Sequence, residues 1–206
     1  MSNVIVLPVG HLLGPFFTNA DDEVPESVDL RVGGELSSLP PEAYLVWAAA
    51  HGDPQQVATA PMTKAATLER AGVVLDQPGR AYRELVSRGL LVEVGAGKRG
   101  QREFAERHRV LPLVMGLGNS FQRPEEFVIG MVGSPVMTLP GSVFSVWMFG
   151  HQYPTLWQTC ENVAMSAAAT LGGQSVGPAR VLADVVALLP LLVSTGCGCV
   201  DRRSDV

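Results

Sequence analysis

The residues best suited to chemistry in this 206-residue chain are few and scattered. His51 and His151 stand one hundred positions apart, each three residues before a proline. A pair of imidazoles would suit a metal ion or a proton relay, but neither has Cys, His or paired carboxylates near it at ligand spacing. A histidine in the last turn of a helix has a simpler role, because it caps open carbonyls and meets the negative end of the dipole. Cys197-x-Cys199 offers two thiols without a full ligand set in the sequence, so these two and Cys160 read as structural thiols of a reducing compartment. The acidic stretch Asp21, Asp22, Glu23 and Glu26 is rich in oxygen but lacks calcium-loop spacing, and reads as a solvated face. The phosphate-loop pattern GxxxxGK[ST] does not occur. These residues imply no catalytic constellation, no metal and no cofactor, and the expectation is a binding function rather than an enzyme.

The cations are the stronger candidates. Arg80 and Arg180 recur at the same place, where they would either pair locally or face a bound acidic group. The run Gly95–Arg109 carries Lys98, Arg99, Arg102, Arg107 and Arg109, interleaved with Glu103 and Glu106, and suits either a phosphate contact or a solvated linker helix. The net charge of −5 hides a gradient. Residues 32–109 hold ten basic and nine acidic side chains, whereas residues 110–200 hold two and four. Only the first half has the cations a phosphate backbone needs.

These residues are positioned by a repeat. Residues from about 28 to 92 recur without a gap one hundred positions later. Leu39, Pro40, Val46, Trp47, His51 and Pro54 fall on Leu139, Pro140, Val146, Trp147, His151 and Pro154. The register continues through Thr59, Gly72, Pro78, Arg80, Val86 and Leu91, and upstream through Val28, Val32 and Gly33. Leu7-Pro8 matches Leu111-Pro112 at a spacing of 104. The expected organisation is a first repeat over 1–100, a junction helix over 101–109 and a second repeat over 110–206.

Each repeat reads as α+β, a small antiparallel sheet followed by three helices. In the second, Val110–Leu117 ends at a Gly118-Asn119 turn, and Phe127–Val132 and Pro135–Leu139 complete three strands. A first helix begins at Pro41 and Glu42, with Tyr44, Trp47 and Ala48 on one face; Phe144, Trp147 and Met148 match them. The tryptophans read as core anchors. A second helix is expected over Met62–Ala71, and over about Leu156–Leu171, with Gly72 and Gly172 as C-terminal caps. A third runs over Pro78–Arg88 and Pro178–Leu189. Tyr82, Leu85 and Val86 point inward, as do Leu182, Val185 and Val186. A strand, Leu90–Val94 or Leu191–Ser194, closes each repeat. Val181–Val200 is apolar enough to suggest a membrane span, but its counterpart Ala81–Gly100 is heavily charged, so it reads as a buried helix and strand. No basic region precedes Val4–Leu7, which argues against a signal peptide.

The closing phrase Glu84–Val94, ELVSRGLLVEV, resembles winged-helix domains. With LSSLPPEAYLVWAAAHG, Leu36–Gly52, the order of strands and helices also resembles the PqqD-like peptide-recognition domains. That resemblance implies a peptide adding a strand to the sheet edge and packing on the third helix. The groove would be bordered by Glu35, Leu36, Ser37, Arg80 and Arg83, and in the second repeat by Val136, Thr138 and Arg180. The winged-helix resemblance implies an alternative, a DNA-binding regulator reading through Gln77, Arg80 and Arg83 with Lys98 and Arg99 on phosphates. The expected partner is a peptide or protein, with DNA as the alternative through the first repeat, no membrane, and dimer or complex formation through the second. The expected location is cytoplasmic.

Overall fold

The computed structural model describes residues 4–21, 23–170 and 176–203, the side chains of 168–170 excepted. Asp22 of the acidic stretch and the expected cap Gly172 lie outside the described residues. The fold is mixed α+β, with small antiparallel sheets. The chain divides into two compact units, Met1–Ala96 and Gly97–Val206.

The first unit runs β1 (Val4–Pro8), β2 (His11–Phe16), β3 (Ser27–Val32), β4 (Glu35–Leu39), α1 (Pro41–Ala49), α2 (Pro54–Val57), α3 (Lys64–Gly72), α4 (Pro78–Ser87) and β5 (Leu91–Gly95). Strands β2, β3 and β4 form a meander, while β1 pairs with the distant β5. Alternation places Val28, Leu30 and Val32 of β3, with Leu39 of β4, on the buried face. Pro41 starts α1, its absent N–H wasting nothing in the first turn. Trp47 fills the core and donates its indole N–H to the Val9 carbonyl at 3.1 Å. Asp53 and Thr63 cap α2 and α3 through their side-chain oxygens.

The second unit runs α5 (Lys98–Ala105), β6 (His108–Pro112), β7 (Met115–Ser120), β8 (Arg123–Met131), β9 (Ser134–Pro140), α6 (Gly141–Phe149), a 3-10 turn, α7 (Leu156–Thr170), α8 (Pro178–Ser194) and β10 (Gly198–Arg202). Again three strands, β7, β8 and β9, form a meander, and the first strand, β6, pairs with the last, β10. Trp147 is buried and donates to the Cys197 carbonyl at 2.9 Å. The expected junction helix over 101–109 lies instead at Lys98–Ala105, and its Phe104 and Ala105 are buried within the second unit.

Several expectations are corrected. Val110–Leu117 is not one strand: Leu113 donates its N–H to the Cys197 carbonyl, and the chain leaves the β6–β10 pair there to enter the meander as β7. Gly118 is not the hairpin turn; its positive φ of 86° makes a bulge inside β7. Gly72 is not a left-handed cap, because α3 runs through it to a right-handed Val73. Val86 is 36% exposed, at the margin of a stripe that Tyr82 and Leu85 fill. The segment Leu191–Ser194 is helical, not a strand.

That last correction has a clear cause. Helix α4 ends at Gly89, with φ +67°, where Leu90 N–H bonds to the Leu85 carbonyl and Gly89 N–H to Val86. Helix α8 has no glycine until Gly196, also φ +67°, where Cys197 bonds to Leu192 and Gly196 to Val193. Both are Schellman stops, which need a residue tolerant of the left-handed region. The second unit places its stop later, so β10 lies 107 residues after β5 rather than 100.

Candidate recognition site

The residues singled out on the third meander strand lie on an edge strand of the sheet. Strand β4 pairs with β3 on one side only. The other edge strand, β2, is broken by a register shift between Leu12 and Gly14 and contains Pro15. Such bulges and prolines blunt an edge against further pairing. In β4 all five residues, Glu35 to Leu39, stay in continuous register and none is proline. Glu35, Leu36 and Ser38 are exposed, Leu36 to 64%.

The structure brings Arg88, rather than Arg80 or Arg83, to this strand. Its guanidinium donates to Ser37 Oγ at 2.9 Å and to the Ser38 carbonyl at 3.3 Å, and it meets the Glu84 carboxylate at 3.6 Å. Arg88 is the C-cap residue of α4. Its position in the second unit is taken by Thr195, the C-cap of α8, which touches Met137 of β9. The same helix end therefore meets the same strand in both units, with a cation in one and a hydroxyl in the other. Sequence reasoning missed Arg88 as a site residue; the available signal was a charged residue directly before the Gly89 stop.

In the second unit, Val136 and Thr138 are exposed on β9, which has Pro135, Pro140 and a register shift opposite Gly130. Arg180 does not reach β9. It pairs with Asp184 at 3.2 Å and borders a cleft of about 1220 Å³ between α6, α7 and α8, lined also by Phe127, Phe149 and Tyr153.

Gln77, Arg80 and Arg83 are exposed along the first turns of α4, and neither arginine forms an ion pair among the described residues. Lys98 and Arg99 belong to the second unit. Strand β5 pairs with β1, and the chain then enters α5 of the second unit, where Arg99 pairs with Glu103 at 2.8 Å.

The histidines act on their own helices. His51 Nδ1 faces the Trp47 carbonyl at 3.2 Å, so that nitrogen carries the proton, and the ring packs edge-on against Trp47 at 4.4 Å. Burial pushes its pKa below the usual imidazole value, against the opposing pull of the Trp47 and Ala48 carbonyls. His151 Nδ1 instead faces the carbonyl three residues back, that of Met148, at 3.1 Å. Burial raises the Tyr82 phenol, helped by its 2.7 Å bond to Glu93, and pushes the Cys160 thiol up to about 12. No group of three or more His, Cys, Asp or Glu that could hold a metal ion occurs among the described residues. No helix among them is long and apolar enough to cross a membrane.

What the fold and site define is a mixed α+β protein of two units that share an element order and a strand-pairing scheme. No protein-family model, no curated protein and no solved structure matches the chain.

Proposed function

We propose that this chain is a non-catalytic recognition protein, whose first unit captures an extended segment of a partner protein along β4. The observation that carries the reading is the unbroken, proline-free edge strand Glu35–Leu39. Main-chain hydrogen bonds would supply affinity, and exposed Leu36 with Arg88 would select the side chains. The shared element order and the aligned letters of the two units support an origin by duplication, with the second unit serving complex formation or dimerisation.

The test is titration of the isotope-labelled full chain with overlapping peptides from proteins encoded beside its gene. Binding peptides are expected to shift the amides of Leu36–Ser38 and the Arg88 side chain. Leu36 lies two residues from Ser38, so its main chain faces the same edge. Leu36→Pro removes that N–H and should weaken binding at least tenfold. Shifts confined to other surfaces, or binding indifferent to Leu36→Pro, would overturn the reading.

A specific observation also favours a second reading, DNA binding. Gln77, Arg80 and Arg83 line one exposed side of α4, and the two arginines have no acidic partner among the described residues. This reading requires retardation of DNA fragments at low salt with a steep salt dependence, lost in Arg80→Ala/Arg83→Ala. Absence of retardation at low salt would remove it.

A further inference from the structure

The proposed recognition edge leaves the basic run at the start of the second unit without a use. There, Lys98, Arg99, Gln101 and Arg102 of α5 face the first turns of α8 across a pocket of about 310 Å³. Its remaining wall is Trp157 of α7.

Two independent features of this pocket point the same way. The first is its positive charge. Gly97 offers no side chain to cap α5, so the first N–H groups of the helix are left to solvent or a ligand. An uncapped start of this kind favours an anion. Arg99 and Arg102 are held by Glu103 and Glu106 at 2.8 and 2.5 Å, but Lys98 is exposed and has no partner among the described residues. The second feature is Trp157. It is only 9% exposed, and its indole N–H is buried with no hydrogen-bond partner. A buried donor left unsatisfied is costly and calls for an explanation such as a bound group. The Arg102 guanidinium lies over the same ring, 3.3 Å from its centre. A cation and the start of an open helix thus share one small pocket with a buried tryptophan whose indole donor is unused.

We propose that this pocket binds a phosphate-type oxyanion. Lys98 and the α5 amides would hold its charge. The Trp157 indole would donate the remaining hydrogen bond once Arg102 turns toward the ligand. The anion's source, a free phosphate monoester or a phosphodiester backbone, shares this chemistry.

The experiment follows the Trp157 indole N–H resonance of the labelled full chain during titration with inorganic phosphate, with chloride at matched ionic strength as the control. A saturable shift of that resonance and of the Lys98–Gly100 amides is expected with phosphate and not with chloride. Lys98→Ala, at an exposed position, should weaken binding three- to tenfold, and Trp157→Phe should weaken it while keeping the ring beneath Arg102. Glycerol 3-phosphate and a short single-stranded oligonucleotide then compete for the site, and the stronger competitor identifies the source. No saturable indole shift, an equal shift with chloride, or unchanged affinity in Lys98→Ala overturns the proposal. None of these outcomes bears on β4, so the two readings fail separately.

Discussion

Replacing Asp201 with valine tests how the second unit closes its two-stranded sheet. Asp201 on β10 stands directly opposite Arg109 on β6 and is 1% exposed. The carboxylate accepts from Arg109 Nη2 at 3.0 Å and from Nε at 3.3 Å. Removing one member of a buried ion pair strands the other, which costs about 3–5 kcal/mol. In a domain near a hundred residues each kcal/mol moves the melting temperature by roughly 4–8 °C. Asp201→Val should therefore lower the second unit's transition by about 12 °C or more. The first unit supplies the repair. At the same register positions it carries Ile5 opposite Val94, an apolar pair. Arg109→Ile/Asp201→Val should accordingly recover most of the loss, because a well-packed apolar pair often equals a buried ion pair. Scanning calorimetry of the two variants beside the parent decides it. A single variant melting within about 2 °C of the parent, or a double variant no better than the single, would refute the argument.

Three further outcomes are expected. His51 has a folded pKa below its unfolded value of about 6.5, so the unfolded chain takes the proton first, and stability should fall as pH drops below about 6.5; urea titrations should show this slope flattened in His51→Gln. With its pKa near 12, buried Cys160 should resist thiol reagents in the native protein and react once urea unfolds it, as mass spectrometry of labelled peptides would show. Two glycines should respond oppositely to alanine: at Gly150 the added carbon meets the Val110 carbonyl, destabilising by about 1–3 kcal/mol, whereas Gly72 is helical with open space around it, and alanine should stabilise by about 0.5–1 kcal/mol in denaturant melts.

Much of the architecture was legible because the signals were local. Pro41 and Pro78 mark helix starts, and Trp47 and Trp147 sit on apolar faces. What was not legible depends on distant pairing. Nothing within Val4–Pro8 or Leu91–Gly95 announces that they pair with each other, and nothing within Val110–Leu117 separates the strand that pairs with β10 from the one that enters the meander. The end of α8 was hidden because Pro190 looked like a stop, although it lies buried inside the helix and the true stop is Gly196. Arg80 and Arg83 were readable as exposed, but the hydrogen bonds to β4 come from Arg88, the residue that caps the helix, which no local pattern marks. The Trp157 pocket needed three segments brought together, and position 57 of the first unit carries a valine, so no aligned tryptophan drew notice.

The late stop of α8 also says something about which lengths this architecture accepts. Helix α8 has seventeen residues and α4 has ten. Seven extra residues wind almost two full turns, with only about 20° of angular drift. The helix therefore gains roughly 10 Å without changing phase. Tyr82 and Leu85 correspond as well to Leu189 and Leu192 as to Leu182 and Val185, and all are buried. For the same reason the cap residue still meets the third meander strand. A difference of one residue would rotate that cap by about 100° and turn the buried stripe toward solvent. Growth or shortening of this helix is thus restricted to near-integral turns, and a length change between them would have to be cancelled elsewhere in the unit.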